Sequence, residues 1–407
     1  MLSVEPALKK RRSRHKLGLA LAGGGPLGAF YQVGCLHALS ECTEGLDLTN
    51  LDFYVGVSSG AIISASLVNG LSTTDMGRNF FSDEAHDEFL LTPGVAMRPA
   101  IREYLHRLVT APALVAQALS RWAGNPLLNW ADVLSPLADA VPTGVFDNHP
   151  FERYLRHLLT SEGRSNDFRK LKHTLRIVAT DLNSGTEVRF GEQGLDHIPI
   201  SEAIRASTAL PGLYTPVRIE GRTYVDGALL RTMNASLALQ SGCDFVIAVN
   251  PLVSFDASNA KRNGHPIDLG QAGLSTVMGQ TFRALIQSRM KVGMASYHDR
   301  FPHSDRLLFE PDRNDEAMFF ANVFRYAERR QLANHAYQST RRDLLRRAKK
   351  LAPVLNRHGI RLRLDRLRDR QRTFYSAIDE QPGPSHPVTR HLANTLSKLS
   401  TQLHAMR

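Results

Sequence analysis

The chain has 407 residues, 43% of them apolar and 22% charged, and a formal net charge of +11. This balance excludes a chain that is disordered throughout, and the length allows one main domain with insertions or two units. The charge is uneven: residues 9–16 hold six Lys or Arg and no acid, and residues 341–372 hold thirteen against Asp343, Asp365 and Asp369, so the body is mildly acidic.

Residues 1–16 read as a basic N-terminal arm. Such segments suit anionic membrane surfaces or nucleic acid. No zinc-finger or RNA-recognition signature supports nucleic acid, which leaves a peripheral membrane contact, or simply a solvated helix face and a frayed end. "LGLALA", ending in Ala20-Leu21-Ala22, mimics a secretory leader, and the uncharged run 17–40 mimics a membrane span. The apolar part is only six residues long, and six glycines, Pro26, Gln32 and His37 oppose a span. A buried parallel strand feeding a buried helix accounts for the same pattern. The expectation is no cleaved leader, no transmembrane helix, and a cytoplasmic location with peripheral membrane contact. Cys35, Cys42 and Cys243 are too few for a disulfide framework, and no His, Cys or carboxylate cluster has ligand spacing, so neither metal nor cofactor is expected.

Leu17–Ala22 reads as the first strand, and Pro26 suits the first turn of a helix running to about Ser40. Between them Gly23, Gly25 and Gly28 have the G-x-G-x-x-G spacing of a dinucleotide loop. That use needs an acid at the end of the second strand. The second strand, "DFYVG" (52–56), has Asp52 at its start and ends in Gly56. The loop's bare N–H groups therefore call for another anion.

Gly56-Val57-Ser58-Ser59-Gly60 supplies a reason. It is G-x-S-x-G after a strand and before a small-residue helix (58–69), the pattern of a nucleophile elbow. Gly56 and Gly60 leave room for the tight turn that exposes the Ser58 hydroxyl. A serine nucleophile needs an oxyanion hole, and Gly24 and Gly25, at a helix N-terminus, offer amides for one. It also needs a base. Asp226 stands at the end of "RTYVDGAL" (222–229), followed by Gly227, which permits close backbone approach. A carboxylate within reach of Ser58 could take its proton; a plain turn residue is the other reading of the same tripeptide.

Residues 73–159 read as mostly helical, a helical insertion or cap beneath which a substrate could enter. "LRIVATDLNSG" and "TEVRFG" read as strands, "SEAIRASTALPG" as a helix opened by a capping box, "DFVIAVNP" and "RLLFEP" as strands, and Met318–Leu351 as one long helix. After Gly359 come a basic segment, the linker "DEQPGPSHP" and a tail in which Leu392, Leu396, Leu399, Leu403 and Met406 form one apolar stripe suited to self-association.

Taken in order, "GGGPLG", "GVSSG", "ATDLNSG", "ASTALPGLYTP" and "DGA" resemble the patatin-like phospholipases. The resemblance covers roughly residues 17–360 and implies a three-layer α/β/α domain with a mostly parallel sheet and a helical insertion. It implies a Ser–Asp dyad with Ser58 as nucleophile and Asp226 as base. Gly24 and Gly25 would be the core of an oxyanion hole counted with Gly23 and Gly28. Asp181 would be structural, and the substrate would be a phospholipid or other lipid ester. One departure is Leu27, where the family's glycine loop usually carries Arg or Lys. A Ser–His–Asp triad using His335 or His358, and a silent lipid-binding scaffold, are the competing readings.

Overall fold

The computed structural model describes residues 1–8, 16–81, 98–124, 129, 132, 135–258, 260–262, 265–320 and 328–379. The basic run 9–15 and the apolar stripe of the tail lie outside them.

The strands of three or more residues are Leu2–Glu5 (β1), Leu17–Leu21 (β2), Phe53–Val57 (β3), Gly144–Asp147 (β4), Thr174–Asp181 (β5), Thr186–Phe190 (β6), Gly212–Tyr214 (β7), Val217–Ile219 (β8), Arg222–Asp226 (β9), Phe245–Val249 (β10) and Asp305–Phe309 (β11). All but β4 and β7 belong to one nine-stranded sheet. Its centre, β11–β10–β2–β3–β5, is parallel. Strands β1, β6, β8 and β9 are added antiparallel. The parallel strands are continuous apolar runs because helices cover both faces.

Alternation along each strand sorts the core into two layers. Leu19, Leu21, Tyr54, Ile177 and Ile247 point to a layer built with helices Gly25–Cys42 (α1), Ser59–Val68 (α2) and Glu328–Arg346 (α9). Ala20, Val55, Val57, Val178 and Val246 point to the other, built with Ala235–Gln240 (α7) and the end of Leu274–Arg300 (α8). Helices α1 and α9 touch almost backbone to backbone: a Cβ on Gly34 would lie 2.2 Å from the Ala333 carbonyl oxygen.

The stretch 73–159 holds helices Thr73–Phe81 (α3), Ile101–Gly124 (α4) and His149–Thr160 (α5), together with Arg98–Pro99 and β4. These two short strands and β7 form a small sheet. Strands of two to four residues have too little alternation to be read from sequence.

Three local expectations differ from the structure. The arm 1–16 begins as sheet, since Leu2–Glu5 pairs with β11. The long helix is interrupted: Glu316–Phe319, α9 and Ala348–Asn356 (α10) are separate, and the chain bends at Arg347, whose ψ is 8°. Helix Ile200–Ser207 (α6) starts at Pro199 without a side-chain cap. Asn166, from another loop, accepts the Ser201 N–H instead, and the Ser201 hydroxyl donates to buried Glu152. The basic segment after Gly359 packs on the body. Leu367, Phe374 and Ile378 join the core. Arg372 pairs with buried Glu41, Arg357 with Asp305, and Arg341 donates to the carbonyls of Arg366, Asp369 and Arg372. Those cations are occupied inside the fold.

Candidate active site

Strand β5 brings the two candidate residues together. On one edge its first half pairs with β3, up to Val57 opposite Val178. On the same edge its second half pairs with β9, down to Asp226 opposite Ala179. Hairpin partner β6 takes the other edge. Strands β3 and β9 therefore run toward each other and meet between Val178 and Ala179. Ser58 follows one end and Asp226 is the other.

Ser58 has φ 52° and ψ −122°, a conformation that costs a non-glycine residue about 1–3 kcal/mol. Its surroundings enforce it. A Cβ on Gly56 would lie 2.4 Å from the Gly60 carbonyl, and one on Gly60 would lie 2.3 Å from the Leu21 carbonyl. The Ser58 N–H donates to Ser207 Oγ at 2.8 Å, and that hydroxyl donates to the Val178 carbonyl at 2.6 Å. Ser207 lies in "ASTALPG", where its sequence looks like any other helix position. Ser207→Ala is expected to leave the buried Ser58 N–H without an acceptor, lowering stability by about 1–3 kcal/mol in denaturant titration.

The Ser58 hydroxyl donates to Asp226 Oδ2 at 2.6 Å. Asp226 Oδ1 accepts the Ala228 N–H at 2.8 Å, and the Asp226 backbone is held by Ala209 O and the Thr180 hydroxyl. The carboxyl is 2% exposed. Burial pushes it up to about 6, against the hydrogen bonds from Ser58 and Ala228 that pull it down. Gly227 is required by its neighbour, because a Cβ there would lie 2.2 Å from the Val178 carbonyl.

The glycine loop lies alongside: a Cβ on Gly23 would be 3.1 Å from that of Ser58. Two of its four glycines do not match the expected hole. The Gly23 N–H donates to Thr232 O and the Gly28 N–H to Gly24 O, both at 3.0 Å, so neither amide is available. Gly24 and Gly25, at the open N-terminus of α1, make no such backbone bond among the described residues. Asp181 caps the β5–β6 turn through the amides of Asn183 and Ser184. Leu27 is buried and lines a cavity with Gly24, Gly28, Pro251 and Arg283. Arg283 lies over the Phe319 ring at 4.8 Å, so a cation borders this cavity from α8 although the loop has none.

The late histidines have other partners. His358 Nε2 meets Asp305 Oδ2 at 2.7 Å and its ring stacks on Phe245, at the strand ends opposite Ser58. His335 Nε2 meets Asp315 Oδ2 at 2.7 Å.

The molecule is thus a three-layer α/β protein with a strained serine at the carboxyl end of its parallel sheet. The family model for patatin-like phospholipases matches residues 19–239, more than half of the chain, which belongs to that family. The uncharacterized protein YqhO of Bacillus subtilis is 23% identical over 206 residues, 47% of this chain and 59% of YqhO. An uncharacterized NTE family protein of Mycobacterium tuberculosis is 38% identical over 73 residues, 18% of this chain and 19% of that one. The chain therefore spans about three fifths of one relative and a fifth of the other. Among solved structures, VipD from Legionella pneumophila aligns at 21% identity and TM-score 0.30, covering 63% of this chain and 54% of VipD. ExoU from Pseudomonas aeruginosa, solved with SpcU, aligns at 17% identity and TM-score 0.25, covering 94% and 74%.

Proposed function

We propose that this chain is a lipid acyl hydrolase that cleaves carboxylic esters through a Ser58–Asp226 dyad. The observation that carries the reading is the 2.6 Å hydrogen bond from a strained, buried Ser58 hydroxyl to a buried carboxylate. Membership of the patatin-like phospholipase family supports a lipid ester as substrate.

Ser58 Oγ attacks the ester carbonyl while Asp226 Oδ2 takes its proton. The amides of Gly24 and Gly25 stabilise the oxyanion, such donors being worth about 3 kcal/mol each. The α1 dipole adds positive potential there. Collapse of the intermediate breaks the ester C–O bond, and the leaving alkoxide takes the proton from Asp226. Asp226 then deprotonates a water, which attacks the acyl-enzyme; the proton returns to Ser58 Oγ as the fatty acid leaves. Each step uses one proton acceptor, so no histidine is needed.

The test is fatty acid release from a panel of phospholipids, acylglycerols and a short-chain soluble ester. Ser58→Ala is expected to lower kcat by at least about 10⁴-fold with its fold intact. Hydrolysis that persists in this variant would assign another nucleophile. No release from any ester by the wild type would favour a silent lipid-binding protein.

A further inference from the structure

Helix α4 presents its apolar side to solvent. Ile101, Leu105, Leu108, Val115, Leu119 and Trp122 fall at spacings of 4, 3, 7, 4 and 3, which places them on one face. All six are exposed, Leu108 by 68% and Trp122 by 58%. Helix α8 repeats the pattern with Met278, Phe282, Leu285 and Val292, exposed by 44% or more. Contiguous exposed apolar surface of this kind marks an interaction face.

Helix α8 is tied directly to the candidate site, and α4 is linked to it through β4 and β7. Arg289 of α8 donates to the Leu229 carbonyl, three residues beyond Asp226, and Arg283 borders the cavity beside Gly24. At the start of α4 the Ala100 N–H donates to Val145 O in β4, which pairs with β7. The residue that opens the turn into β7, Ala209, accepts the Asp226 N–H.

Charge selects the occupant. Helix α4 carries Arg102, Arg107 and Arg121 against Glu103, and α8 carries Arg283, Arg289, Lys291 and Arg300 against Asp299. A second copy would bring cations to cations. The tail 388–407 would do the same, having Arg390, Lys398 and Arg407 and no acid. An apolar stripe flanked by Lys and Arg, with a tryptophan near one end, matches the interface of an anionic bilayer.

We propose that the α4 and α8 stripes dock the protein onto anionic membrane surfaces, with the mouth of the candidate site at the interface. This deepens the hydrolase reading, which supplies the reason for such docking, and binding is measured without turnover. Ser58→Ala protein is floated with vesicles of phosphatidylcholine alone or of equal parts phosphatidylcholine and phosphatidylglycerol. Binding to the mixed vesicles and weak binding to the neutral ones are expected. Leu108→Glu/Leu119→Glu and Phe282→Glu/Leu285→Glu should each lower binding to the mixed vesicles about tenfold or more. The same pairs in the Ser58 background should leave short-chain soluble ester hydrolysis unchanged, which checks folding. With Trp130→Phe, Trp122 is the one tryptophan left, and its emission should shift to the blue on adding mixed vesicles. Unchanged binding in both pairs, or a fixed Trp122 emission, would overturn the proposal. So would a concentration-dependent dimer in light scattering that the same substitutions dissociate, since the face would then join two copies. Absence of hydrolysis by the wild type alongside normal vesicle binding would overturn the hydrolase reading alone.

Discussion

Asp226→Asn is expected to lower kcat for ester hydrolysis by about 10³-fold or more and, at neutral pH, to raise the melting temperature. The two effects have one cause. Burial holds the Asp226 carboxyl up at about 6, above its ordinary value of 3.8. Between those two pH values the folded chain holds the proton that the unfolded chain has released. Stability therefore falls as pH rises through that window, and above pH 6 the full penalty applies, on the order of 3 kcal/mol. An asparagine has no charge to desolvate. The variant should melt higher than the wild type at pH 8 and lose that advantage below about pH 4. Calorimetry across pH reads this directly, and a variant that melts lower at pH 8 would contradict it. In the wild type, kcat/KM should rise with an apparent pKa of about 6 and then stay level, because only the carboxylate can accept the Ser58 proton. A profile without a break between about pH 5 and 8 would place the base elsewhere.

Gly60→Ala should disable the site without touching either member of the dyad. The new Cβ would sit 2.3 Å from Leu21 O and 2.7 Å from Ala22 O, both backbone atoms that cannot rotate away. Either α2 or the end of β2 has to move, at a cost of about 2–4 kcal/mol. Leu21 and Ala22 lead into the glycine loop, so the amides of Gly24 and Gly25 move relative to Ser58, and kcat should fall by about 100-fold. Gly70→Ala is the control. Its φ is +80° but nothing lies within 4 Å of the added carbon, so it should cost about 1 kcal/mol and leave kcat unchanged. Urea melts with equal slopes, together with initial rates, separate the two.

The order of strands and helices around the site was legible because backbone constraints leave marks in sequence. A strand buried on both faces must be apolar throughout, as Leu19–Ala22 and Val55–Val57 are. A serine forced to positive φ needs glycines at its flanks, as Gly56 and Gly60 show. Asp226 was ambiguous from its own tripeptide, and only the ordered resemblance singled it out. Its partner lies 168 residues away, a separation that no local pattern encodes. The occupied amides of Gly23 and Gly28 were illegible for a like reason, because Thr232, which takes the first, comes from the far end of the domain. Ser207 carries no special spacing, and its part follows solely from where α6 lands on β5. For α4 the helical spacing was visible, whereas the exposure of its apolar side depends on what the rest of the chain leaves uncovered.

The head-to-head meeting of β3 and β9 makes β5 a ruler. The gap between Ser58 and Asp226 is set by two pairings on one template, Val57 with Val178 and Asp226 with Ala179. A slip of one residue in either pairing would move its strand by about 3.3 Å and turn its side chains to the other face. Inserting a single residue between Val178 and Ala179 would therefore part Ser58 from Asp226 while changing neither residue, nor any glycine around them. The distance between Ser58 and Asp226 is thus written in the count of residues along a strand that contributes no side chain to the pair.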